Sequence, residues 1–168
     1  MPNLLPLERL QPSLLDRLTD EEPGNPREPL ERRLFSIRRL RECVLRDLGW
    51  LLNTTNMSQR DDIDSYEEAA GSVINYGIVD LAGMTSTSID AKDLARLVRA
   101  AIVRFEPRLL QESLVVEAVI DHDCMAHNTL RMRVEGELWA VPAPLRILIN
   151  TAFDLESGGV VVSERSFA

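Results

Sequence analysis

Glu106-Pro107-Arg108 is the tripeptide of this chain best suited to chemistry. Glu106 falls where an amphipathic helix must end. Unpaired carbonyls there carry partial negative charge, so a carboxylate is locally unfavourable. Pro107 stops the helix, because a residue preceding proline is pushed out of the α region. Arg108 supplies a planar, permanently charged fork that matches a carboxylate. A charge set against local preference often marks function. The plainer alternative is an exposed ion pair among Arg104, Glu106 and Arg108, worth only about 0–1 kcal/mol.

A lone carboxylate in an unusual setting raises glycoside hydrolysis. That reaction usually needs two carboxyl groups at a fixed separation, one of them protonated. No second carboxylate is tied to Glu106 by spacing, and two arginines flank it, which is the setting of an ion pair. Asp121-His122-Asp123-Cys124-Met125-Ala126-His127 gathers both histidines and one of the two cysteines. A structural zinc site needs four ligands in tetrahedral order. This segment reads instead as a polar loop between strands. Asp61, Asp62 and Asp64 lack the glycine and distal glutamate of a calcium loop. There is no glycine-rich phosphate cradle and no nucleotide fingerprint. The expectation is a protein without catalytic residues, metal or cofactor.

The elements that must position Glu106 follow from periodicity. Residues 1–29 read as an arm and linker, and residues 30–168 as a single domain. Ser13 caps a short helix with Asp16 in its first turn, and Leu14, Leu15 and Leu18 share one side of it. So short a helix does not stand alone in water, so it docks on its own domain or on a partner. Pro23, Gly24, Pro26 and Pro29 break regular structure after it. From Leu30, apolar residues recur at three- and four-residue steps through Leu34, Ile37, Leu40, Val44, Leu48 and Leu51. Ser65-Tyr66-Glu67-Glu68 fits a capping box opening a short helix. Asp90 starts a further helix whose stripe is Leu94, Leu97, Val98, Ala101, Ile102 and Phe105.

After Pro107 the period becomes two. Leu114, Val116, Ala118 and Ile120 mark one strand, and Leu130, Met132, Val134 and Leu138 a second. Ile147, Ile149, Thr151 and Phe153 continue a third. Ser157-Gly158-Gly159 turns the chain into Val160-Val161-Val162, the fourth. Helices followed by hairpin-linked strands indicate an α+β domain, with N-terminal helices packed on one antiparallel sheet of about four strands. A short terminal strand with little chain left to cover it leaves an edge able to pair with another chain.

The chain has 168 residues and a formal net charge of −8. That balance argues against nucleic acid as a partner. No apolar run approaches the roughly 20 residues of a membrane span, so no membrane insertion is expected. The N-terminal residues lack the pattern of a secretory signal, which points to the cytoplasm and to reduced thiols at Cys43 and Cys124.

Five segments, in order, resemble the TssE family of type VI secretion baseplate wedge proteins. They are Pro12-Ser13-Leu14-Leu15-Asp16-Arg17-Leu18-Thr19-Asp20, Leu45-Arg46-Asp47-Leu48-Gly49-Trp50-Leu51-Leu52-Asn53-Thr54, Ser72-Val73-Ile74-Asn75-Tyr76-Gly77-Ile78, Phe105-Glu106-Pro107-Arg108-Leu109 and Leu138-Trp139-Ala140-Val141-Pro142. The family is related to a phage T4 tail baseplate subunit and is often labelled "lysozyme-like". The resemblance implies a structural subunit that assembles with TssF, TssG and TssK and contacts the contractile sheath proteins TssB and TssC. It makes Glu106, Pro107 and Arg108 a docking motif. Leu14, Leu15, Leu18 and the Val160–Val162 edge are further partner-binding candidates. The alternatives are a peptidoglycan hydrolase, or a tail baseplate protein of a phage-like particle.

Overall fold

Among the described residues, four α-helices precede a four-stranded sheet. The computed structural model describes residues 13–19, 37–58, 62–83, 90–119, 129–140 and 143–165. The helices are α1 (Leu14–Leu18), α2 (Ile37–Leu52), α3 (Glu67–Ala70) and α4 (Ala91–Phe105). The strands are β1 (Val115–Val119), β2 (Thr129–Leu138), β3 (Leu145–Asp154) and β4 (Val160–Glu164). The sheet is an antiparallel meander in the order β1-β2-β3-β4. This is the expected α+β arrangement. Residues 30–36, the expected start of the long helix, and the Asp121–His127 loop lie outside the described residues, as does Cys124. Cys43 is a buried free thiol.

Apolar periodicity explains how the layers meet. Val44, Leu48, Leu51 and Leu52 of α2 are buried with Leu94, Val98 and Ile102 of α4. They pack in one core with Met132, Val134 and Leu138 of β2 and Ile147, Ile149 and Phe153 of β3. The opposite face of β2 carries Arg131, Arg133 and Glu137, all exposed, as period-two alternation requires.

Local signals set the boundaries. The Asp90 carboxylate accepts the Lys92 N–H at 2.8 Å and starts α4. Gly158, at φ +74°, closes the β3–β4 turn, where the Asp154 N–H donates to the Gly159 carbonyl. Gly77, at φ +118°, lets the chain pass so close to the end of α2 that a Cβ would sit 2.1 Å from the Thr54 carbonyl oxygen. The capping box expected at Ser65 does not form. Ser65 ends a 3₁₀ turn over Ile63–Ser65, and α3 begins after Tyr66 without a side-chain cap.

Asn53 joins α2 to β4. Its side-chain amide donates to the Gly49 carbonyl at 2.7 Å and the Val160 carbonyl at 2.8 Å, and its oxygen accepts the Val160 N–H at 2.9 Å. The Arg41 guanidinium pairs with Glu164 and donates to the Arg146 carbonyl, fixing the same helix against the far ends of β3 and β4.

Candidate functional site: the charged turn after helix α4

The turn at Glu106–Leu109 is drawn onto the sheet by its backbone. The Glu106 N–H closes the last helical turn on Ile102, and the Leu109 N–H donates back to the Glu106 carbonyl. The Arg108 carbonyl accepts the Trp139 N–H at 2.7 Å, and the Leu110 N–H donates to the Glu137 carbonyl at 2.8 Å. Leu109 is buried and bridges Leu138. These ties carry Glu106 inward, to 3% exposure. The plainer alternative of an exposed ion pair is therefore overturned at Glu106: long-range pairing with the end of β2 overrides the local preference for solvent.

Burial demands a partner for the carboxylate. Arg108 supplies it bidentately, with Nε 2.7 Å from Glu106 Oε1 and Nη2 2.5 Å from Oε2. The Arg108 backbone N–H adds a bond to Oε1 at 3.2 Å. Arg104, the other expected partner, points elsewhere and donates to the Ala70 carbonyl. The second acid is instead Asp47 of α2, whose Oδ2 lies 2.5 Å from Arg108 Nη2. Burial alone would lower the Arg108 pKa. The bonds and attraction of Glu106, then of Asp47, outweigh it and raise the pKa above its ordinary value. Between these charges Pro107 stays exposed.

The charges continue beyond the motif. Asp47 Oδ1 accepts Arg46 Nε at 2.8 Å, and Arg46 Nη1 donates to Asp16 Oδ1 at 2.7 Å. Asp16 belongs to α1, where the Ser13 hydroxyl caps the helix and donates to Asp16 Oδ2 at 2.6 Å. Desolvation would raise the Asp16 pKa, but the Ser13 and Arg46 bonds prevail and lower it from 3.8 to about 2. The Arg46 guanidinium also lies 4.9 Å from the Trp50 ring centroid. Tyr76 meets Phe105 edge-on at 5.1 Å, and burial, then Asp47 and Glu106, raise its pKa.

The candidate residues thus fall into three places. Glu106, Pro107 and Arg108 form the turn. Leu14, Leu15 and Leu18 stand exposed on α1 while Asp16 seats that helix on α2. Val160, Val161 and Val162 lie in the edge strand β4. Register shows which edge groups face outward. The Asp154–Gly159 and Arg165–Leu148 bonds put Val161 and Ser163 in the pairs that exchange bonds with β3. Val160, Val162 and Glu164 turn their backbone groups outward, and Asn53 occupies those of Val160. Within the expected Val160–Val162 edge, Val162 turns its backbone groups away from β3, as does Glu164 beyond it.

Sequence reasoning missed Asp47 and Arg46. A signal existed: Asp47 sits three residues after Val44 and four before Leu51, on the apolar stripe of α2. An acid on an inward face implies a buried partner.

Among the described residues no cluster of histidine, cysteine and carboxylate is suited to a metal, and no helix is long and apolar enough to cross a membrane. A helix pair backing an antiparallel meander, with a buried ion network locking one turn, defines a compact α+β subunit. A sequence model of the baseplate wedge protein gp25 family matches residues 38–143, and the chain belongs to that family. The match takes in α2, α4, the charged turn and β2. Comparison with curated proteins and with solved structures returned no significant match.

Proposed function

We propose that this chain is the TssE-type wedge subunit of a type VI secretion baseplate. It would act without catalysis, by docking to other baseplate subunits and anchoring the first ring of the contractile sheath. The observation that carries the reading is the turn at Glu106–Arg108 within a baseplate wedge domain. Glu106 and Asp47 are spent on Arg108, so their role is to build a rigid turn. Pro107 stands at its tip, and Arg108 keeps 20% of its side chain exposed. Rigidity lowers the ordering cost of binding, which suits a docking point. TssF, TssG and TssK are the proposed partners here, and TssB and TssC at the β4 edge. The exposed leucines of α1 give a second contact, made by residues 1–29 outside the proposed domain of residues 30–168. The proposed setting is the cytoplasm.

The sharing of one guanidinium by both carboxylates also favours assembly over hydrolysis, because a general acid and its partner need room for a sugar between them. Co-purification of the full chain from cells, read by mass spectrometry, tests the reading. Recovery of TssF, TssG and TssK supports it. Recovery of phage tail subunits instead would place the chain in a phage-like particle. Muramidase activity of the purified protein would overturn the non-catalytic assignment.

A further inference from the structure

The structure assigns Asp47 and Arg46 a positioning role: they form an ionic chain, Asp16–Arg46–Asp47–Arg108–Glu106, through which the seating of α1 sets the hold on the Arg108 guanidinium. The signs alternate along the chain. Asp47 divides its two oxygens, giving Oδ1 to Arg46 and Oδ2 to Arg108. Arg46 likewise divides its nitrogens, giving Nη1 to Asp16 and Nε to Asp47. Its Nη2 lies 2.7 Å from Asp47 Oδ1, yet it is buried and makes no aligned hydrogen bond. Arg108 Nη1 is buried without a hydrogen-bond partner as well.

Each guanidinium therefore has an unused donor and a shared acid. A fork aligned on one carboxylate is the stronger arrangement for an arginine. While α1 is seated, Asp16 draws one arm of Arg46 away and leaves Asp47 Oδ2 to Arg108. When α1 lifts, Arg46 keeps Asp47 alone and turns its idle Nη2 onto it. Asp47 then withdraws from Arg108, which is left with Glu106. By linkage the effect is reciprocal: a ligand that pulls Arg108 off Asp47 weakens the seat of α1. The coupling within the chain is independent of the docking proposal. Only its consequence, that arm release readies Arg108 for a baseplate partner, rests on that reading.

The test needs no partner. Solvent exchange of the Arg108 Nη hydrogens, the group that Asp47 holds, is followed by NMR at low temperature in the full chain, in wild type, Asp16→Asn and Asp16→Glu. Asp16→Asn removes the terminal charge while keeping the size of a side chain that is only 3% exposed. It is expected to speed exchange of the Arg108 Nη hydrogens about fivefold or more, the lower range of couplings between sites. Asp16→Glu keeps the carboxylate and is expected to return the rate toward wild type. An unchanged or slower rate in Asp16→Asn overturns the proposal. So does a faster rate that Asp16→Glu leaves uncorrected, since a merely steric contact would behave that way.

Discussion

Two regions of this molecule are proposed to meet a partner, and they differ in where their polar groups already point. At Glu106–Arg108 the charges are turned inward and matched to each other and to Asp47. Along β4 the backbone groups of Val162 and Glu164 are turned outward, with only Val160 stopped by Asn53. The turn offers a fixed shape made by internal pairing. The strand offers outward backbone groups that have no partner among the described residues. Substitutions at the turn therefore act on folding first, whereas those at the strand act on association first.

The largest expected effect is at the turn. Arg108→Ala strands Glu106 and takes one of Asp47's two cations, and loss of one member of a buried ion pair costs about 3–5 kcal/mol. A large fall in Tm checks this. Glu106→Ala leaves Arg108 with Asp47 and is expected to cost less. An unchanged Tm in both variants would erase the contrast with β4. Next comes a pair within β4 itself. Val161→Pro removes a ladder bond to β3 and leaves a carbonyl unpaired, costing roughly 1–3 kcal/mol. Val162→Pro loses only an outward N–H and is expected to leave Tm nearly unchanged while impairing pairing with a sheath strand. Equal losses in the two variants would contradict the outward assignment.

Smaller still is the effect at α1. The Asp16 pKa is held at about 2, below its value of 3.8 in the unfolded chain. A depressed acid adds stability that is fully present above the unfolded pKa and lost as pH falls through the folded one. The seat of α1 is therefore intact at neutral pH and weakens between about pH 4 and pH 2, by at most about 2 kcal/mol. Backbone amide shifts of residues 14–19 followed by NMR during acidification report it. The core, made by α2, α4 and the sheet, is expected to survive deletion of residues 1–22, as circular dichroism would show.

The contrast also marks what was legible in the sequence. Periods of two and of three to four placed α4 and all four strands, because each buries one face against a shared core. Asp90 and Ser13 revealed caps, since capping is local. Strand β4 runs two residues past Val162, to Glu164, because pairing with β3 carries polar Ser163 and Glu164. Glu106 was recognisable as anomalous, yet its burial was not. Its fate depends on Asp47, which is 61 residues from Arg108 in sequence, and on the Trp139–Arg108 backbone bond. The failed cap at Ser65 has a local origin, as the 3₁₀ turn over Ile63–Ser65 claimed that residue.

Pro107 allows the docking claim to be tested apart from stability. It is exposed at the tip of the turn, and a lysine there suits the negative end of α4, so Pro107→Lys is expected to keep the fold. The measurement is a pull-down of TssF and TssG by the full chain, wild type against Pro107→Lys, with Tm recorded for both. The account expects unchanged Tm and loss of most partner recovery in the variant. Full recovery by the folded variant, or no recovery by wild type, would contradict it.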